Sequence, residues 1–182
     1  MKEHILPAIK LTLIAVLFFS GIYTTLIWGV AQFSSNQGKG FIVKQKGNVY
    51  YENIGQAFYS DQYFWSRPSA VSYNAAGSCG SNKGPSNAEY LSLVQQRIDT
   101  FLVHNPGISK SDVPVDLITA SGSGLDPHIS PKAALVQVKR IAKTRNLPEA
   151  KVQELIHEST EHTFLGPQTV NVLQLNLKLE NL

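Results

Sequence analysis

Serine, aspartate and histidine fall within the eight residues Ser121-Gly122-Ser123-Gly124-Leu125-Asp126-Pro127-His128. Together these side chains can do nucleophilic acyl transfer, with histidine as base and aspartate as its orienting partner. A nucleophile elbow, however, places its serine in Gly-x-Ser-x-Gly. Gly124 follows Ser123 directly and Ser121 stands two places before it, so the elbow is absent. Triad members also normally meet from distant segments. Two readings of the loop stay open. Its backbone N–H groups, beside a helix N-terminus, can hold an anion or a partner's carboxylate. Alternatively, the glycines simply permit a tight turn and Asp126 closes an Asx-turn.

A second glycine-rich run, Gly77-Ser78-Cys79-Gly80-Ser81-Asn82-Lys83-Gly84, invites comparison with a phosphate-binding P-loop. That loop needs Gly-Lys-Ser/Thr, so that lysine and hydroxyl reach phosphates and magnesium. Asn82 takes the glycine's place and Gly84 the hydroxyl's, so the comparison fails. His4, His104, His128, His157 and His162 are scattered, and His157 and His162 miss the i, i+4 spacing of a helical zinc pair. No metal site is expected. The single cysteine, Cys79, excludes an intrachain disulfide and a cysteine-cluster zinc site. Phe58, Tyr59, Tyr63, Phe64, Trp65 and Tyr73 cluster ahead of the run. Core packing accounts for such a cluster more readily than a docking surface does.

The elements that position these residues follow from periodicity. Phe41–Val43 and Val49–Tyr51 around Lys46-Gly47-Asn48 read as a β-hairpin. Residues 66 to 86, rich in Ser, Asn, Gly and Pro, read as a long loop. Pro85 suits a helix start, and Leu91, Val94, Ile98 and Phe101 recur at helical spacing up to Asn105-Pro106-Gly107. Val113–Thr119 reads as a strand with Val113, Val115 and Leu117 on one face. Ser130-Pro131 is an N-cap followed by an N1 proline, with Leu135, Val138 and Ile141 continuing the helix. Pro148-Glu149 opens another helix carrying Val152, Leu155 and Ile156. Val170–Leu182 fits a strand by its alternating leucines. It fits a helix capped by Asn171 slightly better.

The chain has 182 residues, and Leu11 to Phe33 contains no charged residue. At 1.5 Å per residue those positions make a helix of about 34 Å, against a hydrocarbon core of roughly 30 Å. A signal-peptide apolar region is usually shorter, although Gly29-Val30-Ala31 resembles a small-residue cleavage site. An uncleaved single-span anchor is expected. Residues 1–10 form a short tail, 11–33 the span, 34–40 a flexible linker, and 41–182 one soluble domain. The expected class is α+β: a single N-terminal transmembrane helix followed by one compact mixed α/β domain. Lys2, His4 and Lys10 precede the span and Lys39, Lys44 and Lys46 follow it, so charge does not decide orientation. The first 33 residues hold two lysines and one glutamate, leaving 14 basic and 12 acidic residues behind them. That slight excess argues against a nucleic-acid partner, which needs clustered Lys and Arg.

Four stretches together resemble one family, the C subunit of the Kdp potassium-transporting ATPase (KdpC). They are Tyr63–Ala70; Tyr73-Asn74-Ala75-Ala76 through Gly80-Ser81-Asn82 and Gly84-Pro85; Thr119–Pro131; and Val170–Leu173 with Leu175-Asn176-Leu177. The N-terminal span and the length also match. Cys79 stands where the family usually has a small residue, and Gln174 where an acidic residue is common. The resemblance implies an accessory, non-catalytic subunit of a bacterial inner-membrane complex that imports potassium using ATP. It implies three partners: a channel-like subunit that binds the ion, a P-type ATPase subunit that hydrolyses ATP, and a small membrane subunit. The family is described as a catalytic chaperone raising the ATPase subunit's affinity for ATP, with ATP shared between the two. It is also described as having its soluble domain outside the cytoplasm, which would exclude direct nucleotide contact and suit a role in shaping the ion entrance. The candidate partner or ligand loop is Ser121, Gly122, Ser123, Gly124, Asp126 and His128. The candidate docking loop is Trp65, Arg67, Tyr73, Asn74 and Asn82. The remaining alternative is a membrane-anchored envelope hydrolase using Ser123 and His128.

Overall fold

The computed structural model describes residues 2–182, with side chains from His4 onward. Met1, the first residue of the expected tail, and the side chain of Lys2, counted among the flanking charges, lie outside the described residues. The chain divides into two units, Met1–Phe41 and Ile42–Leu182.

In the first unit α1 (Lys2–Val16) runs through a π-helical stretch (Leu17–Tyr23) into α2 (Thr24–Ala31). The hydroxyl of Thr24 donates to the carbonyl of Phe19, five residues back, which satisfies an acceptor in the widened turn. His4–Ala31, 28 residues, is one helix long and apolar enough to cross a membrane. It begins inside the segment expected as a tail and stops short of Phe33. Apolar side chains cover all its faces and none is buried in protein, as a lipid-facing rod requires. Ser34 to Lys39 then coil into hydrogen-bonded turns.

The second unit opens with the expected hairpin, β1 (Ile42–Gln45) against β2 (Asn48–Tyr51). Lys46 and Gly47 both have positive φ, 49° and 83°, the backbone that a two-residue turn needs to match strand twist. From Glu52 to Asn87 the chain has no helix or strand. The irregular stretch is therefore longer than expected: it starts straight after the hairpin, and α3 (Ala88–His104) is capped by Asn87 rather than opened by Pro85. Ile98 and Phe101 of α3 are buried, whereas Leu91 faces outward.

The strand expected over Val113–Thr119 is absent. Pro114 removes a ladder donor, and Val115–Leu117 winds into a 3₁₀ turn. Val113 and Leu117 point inward while Val115 is 68% exposed, so burial follows a helical repeat rather than alternation. After the glycine loop come β3 (His128–Ile129), α4 (Pro131–Leu135), α5 (Val138–Arg145), α6 (Glu149–Glu158), β4 (Thr160–Glu161), β5 (Thr169–Asn171) and α7 (Val172–Leu179). Ser130 caps α4 by accepting from the N–H of Ala133, with Pro131 behind it. The expected single helix through Leu135 and Ile141 breaks at Val136–Gln137, and Leu135 is exposed.

In residues 170–182 the alternating leucines form helix α7, as the Asn171-capped reading expects, and the strand they suggested is absent; only the two residues before the helix are extended. Val170 and Asn171 finish β5, and Asn171 caps α7 by accepting from the N–H of Gln174. β5 is the central strand of a three-stranded antiparallel sheet, with His128 opposite Asn171 and Thr160 opposite Val170. The core gathers Phe64 and Phe101 with Val138 and Ile141 of α5, Val152 and Ile156 of α6, and Leu175 and Leu179 of α7. The fold is α+β, as the sequence implies.

Candidate functional site

The loop Ser121–His128 folds back on itself. Asp126 Oδ1 accepts from the N–H of His128 at 3.0 Å, an Asx-turn, and contacts His128 Nδ1 at 3.2 Å. Its other oxygen takes a 3.0 Å ion pair from Arg67. Ser123 Oγ accepts from the N–H of Leu125 at 3.1 Å and lies 3.5 Å from Ser121 Oγ. Among the described residues no hydrogen bond joins Ser123 to His128. The serine therefore lacks the base that would activate it. The turn-closing reading of Asp126 holds. Gly122 and Ser123 form the exposed tip, while Ser121 and Gly124 are buried.

The loop's electrostatics draw on its own residues and on the segment packed against it. Burial alone would raise the Asp126 carboxyl. Hydrogen bonds from the His128 ring and backbone, with the Arg67 charge, outweigh it and hold the group below its ordinary range. The hydrogen bond to Asp126 raises the His128 ring above its usual value, against burial, which opposes ionisation.

The structure brings both candidate loops together. Arg67 reaches Asp126, and Ser69 Oγ donates to the carbonyl of Gly124 at 2.6 Å. The N–H of Cys79 and the hydroxyl of Ser78 both donate to the carbonyl of Ser123 at 3.0 Å. Gly55 N donates to the carbonyl of Leu125 at 2.7 Å. Gly124 has φ +68°, and a Cβ there would stand 2.7 Å from Val71 Cγ2 and 2.9 Å from the carbonyl of Cys79. Only glycine suits both the left-handed backbone and that approach. Beside the junction, Arg67, Asn53 and Ser78 help line an open depression of about 630 Å³ with Ser121–Ser123.

The remaining candidates are placed as follows. Tyr73 donates its hydroxyl to the carbonyl of Arg67 at 2.6 Å, and burial pushes that phenol up to about 12. Asn74 closes an Asx-turn onto the N–H of Ala76. Asn82 lies exposed, with φ 52°. Trp65 is taken up in the core: it packs on Phe101 and His104 and lies 4.8 Å under the Arg140 guanidinium. Core packing also accounts for Phe58 and Phe64, while Tyr59 stands exposed.

What holds the irregular stretch are residues that motif reading passes over. Asn176, 1% exposed, accepts from Phe64 N and donates to Phe64 O, both at 2.9 Å. Gln137 accepts from Trp65 N at 2.8 Å. The Arg140 side chain, 3% exposed, donates to the carbonyls of Asp61 and Tyr63, to Asn105 and to Gln137. Burial lowers its guanidinium to about 10, against the raising effect of Asp61. Asn171 donates to the carbonyl of Glu52 at 3.0 Å. The only signal in the sequence is an asparagine inside an apolar run, as at Asn171 and Asn176. Glu180 ties Lys46 (2.7 Å), Tyr63 (2.6 Å) and Arg145 (2.8 Å) together. Hydrogen bonds from Lys46, Tyr63 and Arg145 hold its carboxyl down at about 2. Among the described residues no three His, Cys, Asp or Glu side chains gather as metal ligands would.

Comparison with known proteins covers the same residues. The family model described as KdpC, K+-transporting ATPase, c chain, matches residues 5–181. A potassium-transporting ATPase KdpC subunit of Flavobacterium johnsoniae is 55% identical over 181 residues, covering 99% of each chain. Its counterpart from Flavobacterium psychrophilum is 52% identical, again over 99% of each. The KdpC subunit of Bacteroides thetaiotaomicron is 46% identical over 98% of each. The Ser121–His128 loop, the segment packed on it and the N-terminal helix from residue 5 onward lie inside the family match. By length, identity and family model alike, this chain belongs to the KdpC family.

Proposed function

We propose that the chain is the membrane-anchored accessory subunit of an ATP-driven potassium uptake complex, needed for its assembly and activity and carrying no hydrolytic centre. The observation that carries this reading is a family match running from residue 5 to 181 across both the apolar helix and the domain. The partners are the channel-like subunit, the P-type ATPase subunit and the small membrane subunit of that assembly.

The internal chemistry of the glycine loop supports a structural role. Ser123, Asp126 and His128 bond within the loop and to the segment packed on it, which leaves no activated nucleophile. We place the domain outside the cytoplasm of a bacterial inner membrane, where it shapes the ion entrance. ATP is then not contacted directly. The catalytic-chaperone effect passes through the partner subunits as coupling free energy, and is reciprocal: ATP tightens the hold on this chain by the factor by which this chain tightens ATP.

Three experiments test the proposal. Deleting the gene abolishes growth at limiting potassium, and the tagged chain restores growth while copurifying a multispan protein. Unchanged growth after deletion sinks the accessory role. Turnover of an ester by the purified chain, lost in Ser123→Ala, would replace that role with the hydrolase. For the side of the membrane, Cys79 is an exposed lone thiol. A membrane-impermeant maleimide labels it in intact cells if the domain is outside, and only after lysis if ATP is within reach.

A further inference from the structure

Between the C-terminal end of α3 and the outer side of α5 lies a groove of about 490 Å³. Its wall is apolar: Val103, Pro106, Ile108 and Val136. Val103 is 77% exposed, a β-branched side chain left in water at the mouth. The rim is cationic, from Lys139 and Lys143. Among the described residues neither ammonium forms a salt bridge.

Three features of those lysines call for a counter-charge from elsewhere. They stand four residues apart on α5, where like charges weaken a helix. Lys139 is the second residue of α5, near the helix end whose dipole disfavours a cation, whereas Lys143 lies in the last turn, where the dipole favours one. The one acid lining the groove, Asp61, is already engaged by His104 at 2.8 Å. The floor offers little to a small free anion. Arg140 lies there, but its guanidinium already donates to Asp61, Tyr63, Asn105 and Gln137. An apolar wall under a cationic rim is complementary to an apolar side chain flanked by carboxylates.

We propose that this groove seats an acidic segment of a partner subunit, with an apolar side chain against Val103 and Pro106 and carboxylates on Lys139 and Lys143. The inference rests on the accessory-subunit reading and names the face through which that role is exercised.

The test uses the tagged full chain purified with its complex and treated with a water-soluble carbodiimide. The reagent activates a carboxylate, and an amine in ion-pair contact displaces it to form an amide. Mass spectrometry is expected to find Lys139 or Lys143 joined to an Asp or Glu of a copurified subunit. The Lys139→Arg, Lys143→Arg variant keeps the complex and loses the joined peptides, since guanidinium holds the charge but does not couple. Lys139→Glu with Lys143→Glu lowers partner recovery about fivefold or more at roughly 0.15 M salt, with the thermal melt of the chain unchanged. An intact complex whose lysine couplings rise no higher at these positions than at exposed Lys151 overturns the proposal. So does coupling that millimolar inorganic phosphate abolishes while chloride of equal ionic strength does not, because the groove then holds a small anion. If no multispan subunit copurifies with the wild-type chain, the accessory reading itself fails, and this inference with it.

Discussion

Replacing Asn176 by leucine tests how the irregular stretch is held. Among the described residues Asn176 is the only side chain bonded to the backbone of Phe64, taking its N–H and giving to its carbonyl at 2.9 Å each. Phe64 is itself 0% exposed, so water cannot replace the lost partner. Leucine preserves most of the volume but strands one buried donor and one buried acceptor. Each orphan costs about 1–3 kcal/mol, so the variant is expected to lose roughly 4 kcal/mol. A domain of ordinary stability holds about 5–15 kcal/mol in total. The assay is urea unfolding of the full chain in detergent, read by Trp65 fluorescence in a Trp28→Phe background. With a slope of about 2 kcal/mol per molar, the midpoint falls by roughly 2 M. Gln153→Leu, at an exposed position of α6, is the control and shifts by no more than about 0.25 M. If Asn176→Leu shifts the midpoint no more than that control, the Phe64 backbone does not depend on the clamp and the reasoning fails.

Gly124→Ala forces a Cβ to 2.7 Å from Val71 Cγ2 in a left-handed backbone, so about 2–4 kcal/mol is lost and alkylation of Cys79 speeds up. An unchanged melting temperature would refute that packing. Glu180, held at about 2, contributes stability that is complete above its unfolded value near 4.5 and is lost as pH falls through about 2. Glu180→Gln removes that acid-side slope, worth roughly 1–2 kcal/mol after allowance for solvent screening, as acid unfolding curves will measure. The Asp126–His128 pair acts at both ends of the pH range. The aspartate's share is lost as pH falls through its lowered pKa, and the histidine's share fades as pH rises through its raised one. In His128→Asn the alkaline loss disappears and the Asp126 carboxyl titrates higher, which carboxyl NMR detects.

Local signals were legible in the sequence. Ser130 before Pro131, Asn171 before an apolar run and Lys46-Gly47 between β-formers each act within a few residues, and each caps or turns where expected. The strand expected at Val113–Thr119 failed because residues four apart share a face in a helical turn as well as in a strand, and Pro114 decided between them. The sheet β3–β5–β4 could not be seen, since strands of two or three residues show no period. For the candidate site, the sequence pointed to both loops but not to their union. That union is made by Arg67 on Asp126 and by Ser69, Ser78 and Cys79 on the carbonyls of Gly124 and Ser123, partners more than forty residues away.

The same residues explain how two glycine- and serine-rich loops that look catalytic are drawn into holding the fold. A segment of 36 residues without helix or strand, Glu52–Asn87, leaves its backbone polar groups without ladder partners. Asn176, Gln137 and Arg140 supply partners on one side of it, and the Ser121–Asp126 loop supplies carbonyls on the other. The Asp126 carboxylate is held as well, by Arg67 and by the His128 backbone and ring. Such side chains hold a surface in one shape, and the coupling role proposed above calls for a stiff surface. On the proposed coupling role, loosening the Arg67–Asp126 pair weakens coupling before it unfolds the domain. In Arg67→Lys, which keeps the charge but loses the planar fork, the complex is expected to need more ATP for half-maximal hydrolysis while the chain's melting temperature moves little. An unchanged ATP requirement in that variant, with the complex intact, would separate the loop from the coupling.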